Sequence, residues 1–330
     1  MNMKKILVIV LMLAMVLVTA SLLGCQNEDG QEEEVVSIGI IQIVEHPALD
    51  AARDGFIDAL KDAGYEDGKN VSLDIQNAQG DTNNLSTISD RFVSNKVDLV
   101  LAIATPSAQS IAGKTTEIPI LGTAITDYVA AGLVASNEEP GGNISGTTDM
   151  NPVKEQIELL VKLVPDAKTV GTMYNSSEIN SVIQAEMAKE AAEALGLEYT
   201  EVTVSTSNDV QQAAQALVQK CDAIYLPTDN IMASSMPLIH DIAVTSKTPV
   251  ICGEENMALS GGLATLGINY YNLGYLTGQM AVEVMEGEAE TATMPIGSLK
   301  EFDYVINGAV AQEIGLTIPS DMTQYIVEGK

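Results

Sequence analysis

Short β-rich segments alternate with amphipathic helical segments along most of this chain, and this alternation constrains the fold more than any other feature. A β-rich run over 36–41 precedes a helical pattern over 48–63, and the same alternation continues to residue 252. Strands that are separated by single helices form parallel sheets with helices on both faces. We therefore predict an α/β fold.

A glycine-rich segment, 140–146, interrupts the alternation and separates two βα runs of similar length. The 330 residues are enough for two hydrophobic cores. We predict two Rossmann-like lobes with parallel sheets, joined by a multi-segment hinge that also crosses near 267–269 and lets the lobes close on a ligand. The predicted first lobe comprises 36–148 and 269–299, and the predicted second lobe comprises 149–268 and 300–330.

The N-terminus has the pattern of a bacterial lipoprotein signal peptide. Two lysines precede an almost unbroken apolar run over 6–19, and a lipobox sequence, Leu-Leu-Gly-Cys, ends at Cys25. The run is short for a membrane span. We predict a signal peptide over 1–24, lipid attachment at Cys25 and a solvated acidic tether over 25–35, which together place the protein outside the cytoplasm, anchored to the outer face of the cell membrane. An uncleaved signal anchor is the alternative.

The charge of the chain excludes several classes of partner. The formal net charge is −29, and cleavage after residue 24 would remove two lysines and no acid. Such an excess of acid argues against nucleic acid and anionic lipid as partners, so contact with the membrane is predicted through the lipid anchor only.

The cysteines and histidines do not form the pattern of a metal site. Beyond the lipobox only Cys221 and Cys252 remain, each in or beside an apolar run, where small buried residues are expected. Pairing of the two is allowed but not required. His46 and His240 stand without other metal-ligating residues, so we predict neither a metal nor another cofactor.

Ligands of open parallel sheets bind beyond the carboxyl ends of the strands. After the predicted strand 97–103, Thr105 can cap the next helix and Pro106 suits its first position. The backbone N–H groups of Ser107 and Ala108 would then be free at the positive end of a helix. The segment is therefore a candidate site for a carboxylate, although taken alone it fits an ordinary helix cap better.

The other predicted strand ends add amide, hydroxyl and carboxylate groups. Glu45, Asp127, Asp229 and Glu254 are candidates for an ammonium group. A stacking wall is expected from tyrosines, namely Tyr174, Tyr225, Tyr270 and Tyr271. Together these groups favour a site for a zwitterion. The predicted ligand-binding residues are Gln42, Glu45, Thr105, Pro106, Ser107, Thr126, Asp127, Tyr174, Ser176, Asn180, Asp229, Asn230, Glu254 and Tyr270.

Four segments resemble the tryptophan/tyrosine-type substrate-binding proteins of ABC transporters: GIIQIVEHPALD at 39–50, ATPSAQ at 104–109, PTDN at 227–230 and ATLGINYY at 264–271. The resemblance extends over the chain beyond the tether; one departure is Tyr128, where the family has proline. It implies a type I periplasmic-binding fold, no cofactor, and delivery of the ligand to an ABC permease and ATPase. Members of this family differ in ligand, and we predict a monomer that captures an aromatic amino acid (tryptophan, tyrosine or phenylalanine).

Other functions stay open at this point. The ligand could be a branched-chain amino acid, a nucleoside or a sugar, and the protein could present its ligand to a membrane sensor. A lipoprotein hydrolase is disfavoured because no Gly-x-Ser-x-Gly sequence occurs and neither histidine has a Ser/Asp arrangement around it. We therefore predict a binding protein and not an enzyme.

Overall fold

The computed structural model describes residues 35–327, and its strands form two β-sheets that we call sheet A and sheet B. The strands of sheet A are β1 Val36–Gln42, β2 Val71–Asn77, β3 Leu99–Ile103, β4 Ile120–Ile125, β5 Ile144–Thr148 and β11 Gly297–Ser298. The strands of sheet B are β6 Thr169–Asn175, β7 Glu198–Val204, β8 Ala223–Leu226, β9 Val250–Cys252, β10 Ala264–Gly267, β12 Asp303–Asn307 and β13 Ile326–Val327.

Helices follow most of these strands. They are α1 Pro47–Asp62, α2 Thr82–Asn95, α3 Thr105–Ala112, α4 Val153–Leu163, α5 Ile179–Ala194, α6 Val210–Leu217, α7 Asn230–Ser234, α8 Met236–Ser246, α9 Glu255–Leu259, α10 Tyr270–Met285 and α11 Gly308–Ile314, with 3₁₀ turns at Ser207–Asp209 and Thr323–Tyr325. Within residues 35–327, no helix is both long and apolar enough to cross a membrane.

The strand order of sheet A is β11-β5-β4-β3-β1-β2, with all neighbours parallel. Sheet B has the order β13-β12-β10-β9-β8-β6-β7, in which only β10 and β12 run antiparallel. The central strands β3 and β4 are buried along their whole length, as continuous apolar strands covered by helices on both faces must be. The predicted α/β fold with two largely parallel sheets is confirmed.

The chain passes between the two sheets three times, over 149–152, 268–269 and 299–302. Helix α10 follows a strand of sheet B, yet its buried residues Leu273 and Met280 belong to the hydrophobic core around sheet A. The lobe boundaries themselves stay a prediction, and the predicted signal peptide, Cys25 and all but the last residue of the tether lie outside the described residues.

Helices α1 and α10 approach each other closely because small residues face each other along their contact. A Cβ atom on Gly274 would lie 1.8 Å from the carbonyl oxygen of Ala52, and one on Gly55 would lie 2.1 Å from that of Tyr271. Any side chain at these two glycines would force the helices apart.

Three segments differ from the sequence prediction. The glycine-rich crossing becomes strand β5 from Ile144, because Gly146 lies against β4, where a Cβ atom would be 2.0 Å from the Gly122 oxygen. The helical pattern over 231–245 predicts a single helix, but the structure divides it into α7 and α8 at Ser235, just before Pro237. Helix α9, which was not predicted, begins after Glu254, whose side chain caps it.

The two cysteines beyond the lipobox, Cys221 and Cys252, are free thiols. Cys221 is half-buried and Cys252 is buried.

Candidate ligand-binding site

A cavity lies between the carboxyl ends of sheets A and B and contains about 330 Å³ of space free of atoms, part of it open to solvent. Its wall is formed by residues that directly follow β3, β4 and β5 on one side and β8 and β9 on the other, together with the first turns of α1, α5 and α10. The cavity therefore lies where parallel sheets bind their ligands.

Half of the predicted ligand-binding residues line this cavity: Thr105, Thr126, Asn180, Asp229, Asn230, Glu254 and Tyr270. All are buried, with between 1% and 7% of each side chain exposed. The structure also adds residues that were not predicted as ligand contacts, of which His46, Asp149 and Thr228 are polar.

The other half lies elsewhere, and for two of these residues a local hydrogen-bonding role explains why. Gln42 donates hydrogen bonds to Val44 O at 2.8 Å and to Asp50 Oδ1 at 2.9 Å, which fixes the β1–α1 turn. Asp127 accepts a hydrogen bond from the Ala130 amide at 2.9 Å. Three more predicted residues are solvent-exposed or only half-buried outside the wall: Glu45, Pro106 and Ser176.

The predicted tyrosine wall is reduced to one residue. Tyr270 lines the cavity. The Tyr174 hydroxyl instead points towards Glu201 Oε2 at 3.5 Å, and the Tyr225 hydroxyl donates to Gln156 Oε1 at 2.9 Å. The Tyr271 hydroxyl donates to the half-buried Asp58 at 2.8 Å. The remaining apolar wall consists of smaller side chains: Ala48, Leu49, Ala104, Ala124, Ala233 and Met257.

The predicted free amides at the start of α3 are not free. The helix begins at Thr105, with Ala104 as its N-cap, so the Ser107 and Ala108 amides both donate to Ala104 O, at 3.1 and 3.2 Å. Ser107 is buried just outside the cavity wall. Binding at this helix end would therefore fall to the side chain of Thr105.

Ala104 has a strained backbone, with φ +75° and ψ 153°, and Ala124 at the end of β4 has φ +55°. Positive φ is unfavourable for residues with a Cβ atom, and such strain concentrates at binding and catalytic sites. Both alanines line the cavity.

Several buried polar atoms at this place have no hydrogen-bond partner within the described part of the chain. They are Thr105 Oγ1, Ser107 Oγ, Asn180 Oδ1 and His46 Nδ1. A buried polar atom that stays unpaired costs about 1–3 kcal/mol. Three of these four residues line the cavity, so a bound polar molecule is able to satisfy them.

Three carboxylates line the cavity. Asp149 accepts hydrogen bonds from the Thr126 hydroxyl at 2.9 Å and the Tyr270 hydroxyl at 2.6 Å. Asp229 caps α7, accepting from the amides of Asn175 at 2.6 Å and Met232 at 2.9 Å. Glu254 caps α9 through two amides, both at 2.6 Å. Asp149 alone of the three does not cap a helix.

Burial determines the electrostatics of this wall. It raises the pKa of Asp149 and of Asp229, and it raises the pKa of Glu254 to about 7. It also lowers the pKa of His46 to about 4, so that this imidazole is neutral near pH 7. None of the residues that line the cavity in the described chain is a lysine or arginine. The cavity therefore favours a ligand with a positively charged group.

The sequence offered a signal for two of the residues it missed. His46 lies in the segment that follows β1, which was already identified as a strand end. Asp149 directly follows β5, but that strand was interpreted as a crossing because of its glycines. If 144–148 is recognised as a strand, Asp149 becomes a candidate, because ligands of parallel sheets bind just beyond the carboxyl ends of the strands.

Comparisons with known proteins agree with this geometry. The chain is 43% identical over 334 residues to a tyrosine-binding protein of Clostridioides difficile strain R20291, covering 98% of this chain and 96% of that protein. A solved ABC domain from Streptococcus pneumonia in complex with L-Trp is 38% identical, with a TM-score of 0.85 over 88% of this chain and 99% of that one.

A third relative was solved in a different state. The ligand-free, open structure of a Clostridium difficile substrate binding protein with adhesive properties is 46% identical, with a TM-score of 0.68 over 90% of this chain and 100% of that one. More distant solute-binding proteins at 14–15% identity share the fold alone, with TM-scores from 0.59 to 0.63. The expected type I periplasmic-binding fold is thus confirmed.

The family described as ABC transporter substrate binding protein matches residues 37–329, nearly all of the chain described above. The match spans both sheets and every residue of the cavity wall. The chain therefore belongs to the family of ABC transporter substrate-binding proteins.

Proposed function

We propose that this protein captures an aromatic amino acid, tyrosine or tryptophan, for an ABC importer. The observation that carries the proposal is the cavity wall, which combines three buried carboxylates, an unpaired hydroxyl and an unpaired amide oxygen, and which has no lysine or arginine among the described residues. An amino acid supplies an ammonium group for the carboxylates. The named ligands of the two relatives above, tyrosine and L-Trp, support the aromatic class.

Within this proposal, the ammonium group binds near Asp149 and the carboxylate binds near Thr105. The Asp149 carboxylate is not tied to a helix end, whereas Asp229 and Glu254 each bind two backbone amides. Thr105 Oγ1 is buried without a partner at the N-terminus of α3, where the helix dipole favours negative charge. The amino acid then spans several strand ends of sheet A.

Closure of the two lobes on the ligand completes the proposal. The chain matches the L-Trp complex better than the open, ligand-free relative (TM-scores 0.85 and 0.68), although its identity to the open relative is higher. This supports a closed arrangement. Two hydrogen-bond contacts bridge the cleft: His46 Nε2 lies 3.4 Å from Asn230 Oδ1, and Gln184 Nε2 lies 3.4 Å from Thr126 Oγ1. Such weak contacts suit a cleft that must also open.

The composition of the chain provides a direct test. It contains no tryptophan, so any indole fluorescence of a complex comes from the ligand. Added L-tryptophan should show shifted emission and raised anisotropy, and competition with tyrosine, phenylalanine and leucine should rank the ligands. Small-angle scattering should show a smaller radius of gyration on binding. If no aromatic amino acid binds below millimolar concentration, the proposed ligand class is wrong.

Substrate-binding proteins of ABC importers act outside the cytoplasm, so family membership indicates an extracytoplasmic location. We further propose that Cys25 carries a lipid anchor and that the protein works as a monomer beside its permease. The lipobox supports the anchor. Cys25→Ser should abolish metabolic labelling by a fatty acid without changing ligand binding, whereas unchanged labelling would refute the anchor. Light scattering of the purified domain tests the monomer.

A further inference from the structure

In one network of hydrogen bonds at the cavity wall, the geometry fixes which side-chain atoms donate and which accept. At its centre is the carboxylate of Glu178, which is 6% exposed and does not itself line the cavity. It accepts hydrogen bonds from the side-chain amides of Asn175 at 3.0 Å, Asn230 at 2.5 Å and Asn180 at 3.5 Å. In this geometry each of the three asparagines turns its NH₂ group towards a Glu178 oxygen and its own oxygen away.

The orientation of Asn230 determines the tautomer of His46. Asn230 Oδ1, an acceptor, lies 3.4 Å from His46 Nε2 across the cleft. Nε2 must therefore carry the hydrogen. Because burial lowers the pKa of His46 to about 4, the ring holds a single hydrogen near pH 7. Its Nδ1 is then a bare acceptor.

This acceptor has no partner in the described chain. His46 is 8% exposed and lines the cavity, and Nδ1 is buried without a hydrogen bond. The strand order β5-β4-β3-β1 separates the segment of His46 from that of Asp149 by three strand spacings. At about 4.8 Å each, this is about 14 Å. A ligand whose ammonium lies at Asp149 has to extend across these strand ends to contact His46, and the part of an aromatic amino acid that extends away from the ammonium group is the ring.

We propose that His46 Nδ1 accepts a hydrogen bond from the ligand ring and thereby selects amino acids with a ring O–H or N–H over phenylalanine. Tyrosine has a phenol O–H and tryptophan an indole N–H, while phenylalanine has no such donor. Glu178 is a positioning residue, since it acts through Asn230 on the tautomer of His46. The inference rests on the proposed function, because it assumes an aromatic amino acid in the cavity.

Leaving a buried acceptor unpaired is expected to weaken binding by about 10- to 100-fold. The wild-type protein should therefore bind tyrosine or tryptophan more tightly than phenylalanine by about this factor, measured by calorimetry. His46→Phe keeps a planar ring but removes the acceptor, so the preference should collapse. His240→Phe is the matched control, because His240 contacts Gly261 O away from the cavity and should leave the preference unchanged.

A spectroscopic measurement tests the network without a ligand. The chain has two histidines, so ¹⁵N-histidine labelling gives two ring systems that the His240→Phe variant assigns. We expect the Nε2–H tautomer for His46 in the wild-type protein. In Glu178→Gln, whose side-chain amide can donate to Asn230, the tautomer should shift towards Nδ1–H and the preference for ring donors should fall.

The outcomes separate the two proposals. If tyrosine, tryptophan and phenylalanine bind equally well, or if His46→Phe keeps the wild-type preference, the role of His46 is refuted while the proposed function stands. An Nδ1–H tautomer in the wild-type protein also refutes it. If none of the three amino acids binds, the proposed function fails, and this inference fails with it.

Discussion

Replacing Asp149 by asparagine tests the proposed ammonium site most directly. The carboxylate is 3% exposed; the Thr126 hydroxyl donates to its Oδ1 and the Tyr270 hydroxyl donates to its Oδ2. Asparagine keeps one of these two oxygens, so one hydroxyl can still donate while the other turns to accept from the new amide N–H. The substitution therefore preserves shape and most hydrogen bonding while removing one buried charge. Because burial already raises the pKa of Asp149, removing the charge should leave the free energy of unfolding unchanged or raise it.

The effect on binding should be large. A charge-assisted hydrogen bond contributes about 1.5–3 kcal/mol, so Asp149→Asn should weaken tyrosine or tryptophan binding by about 10- to 150-fold. Calorimetry measures this change, and urea denaturation checks stability. Asp127→Asn is the matched control, because Asp127 caps a turn outside the cavity and should change affinity little.

A des-amino analogue of the ligand completes a double-mutant cycle. The analogue lacks the ammonium group, so the wild-type protein should bind it weakly and Asp149→Asn should weaken it no further. If Asp149→Asn weakens the amino acid and the analogue by the same factor, Asp149 acts through the shape of the site. The ammonium assignment would then be refuted.

Three further predictions concern stability, measured by urea denaturation of the ligand-free protein. Gly274→Ala should lower the free energy of unfolding by at least about 1–3 kcal/mol, because its Cβ would lie 1.8 Å from Ala52 O. Gly142→Ala is the control and should change this free energy little, because there is open space around Gly142. Equal effects of the two substitutions would contradict the close contact between the helices. Ala104→Gly should raise the free energy of unfolding by about 1 kcal/mol, because it releases the strain at φ +75°, and a loss of stability would contradict that strain. Burial raises the pKa of Glu254 to about 7, so the folded state binds this proton more tightly than the unfolded state, whose carboxyl pKa is about 4.3. The contribution of Glu254 to the free energy of unfolding is therefore complete below about pH 4.3, the unfolded-state pKa, and is lost as the pH rises to about 7. Glu254→Gln should make the free energy of unfolding less dependent on pH in this range.

The sequence predicted the features that are encoded locally. Alternating strands and helices, and the polar segments after the strands, depend on neighbouring residues, so seven of the predicted contacts line the cavity. Strand β5 was missed because its glycines are explained only by their partner, since Gly146 lies against Gly122 on the neighbouring strand. Such a contact is invisible before the sheet is known.

The roles of the carboxylates were harder to predict for a related reason. Asp229 and Glu254 were assigned to an ammonium group, but both also cap helices, α7 and the unpredicted α9. The tautomer of His46 depends on Asn230, which is 184 residues away in the chain and begins the helix that follows strand β8 of sheet B. Long-range pairs of this kind decide what a site recognises, and a single sequence does not reveal them.

The position of α10 has a consequence for how the chain folds. This helix completes the core around sheet A and packs on α1, yet it is made only after β6–β10 of sheet B. The close contact between Gly274 and Ala52 joins segments 222 positions apart, so it must wait for a large loop to close. A chain that has emerged only to residue 269 therefore leaves the small-residue face of α1 uncovered. Helix α1 is made early but reaches its final packing only after α10 has emerged, and a fragment ending before α10 should aggregate rather than fold.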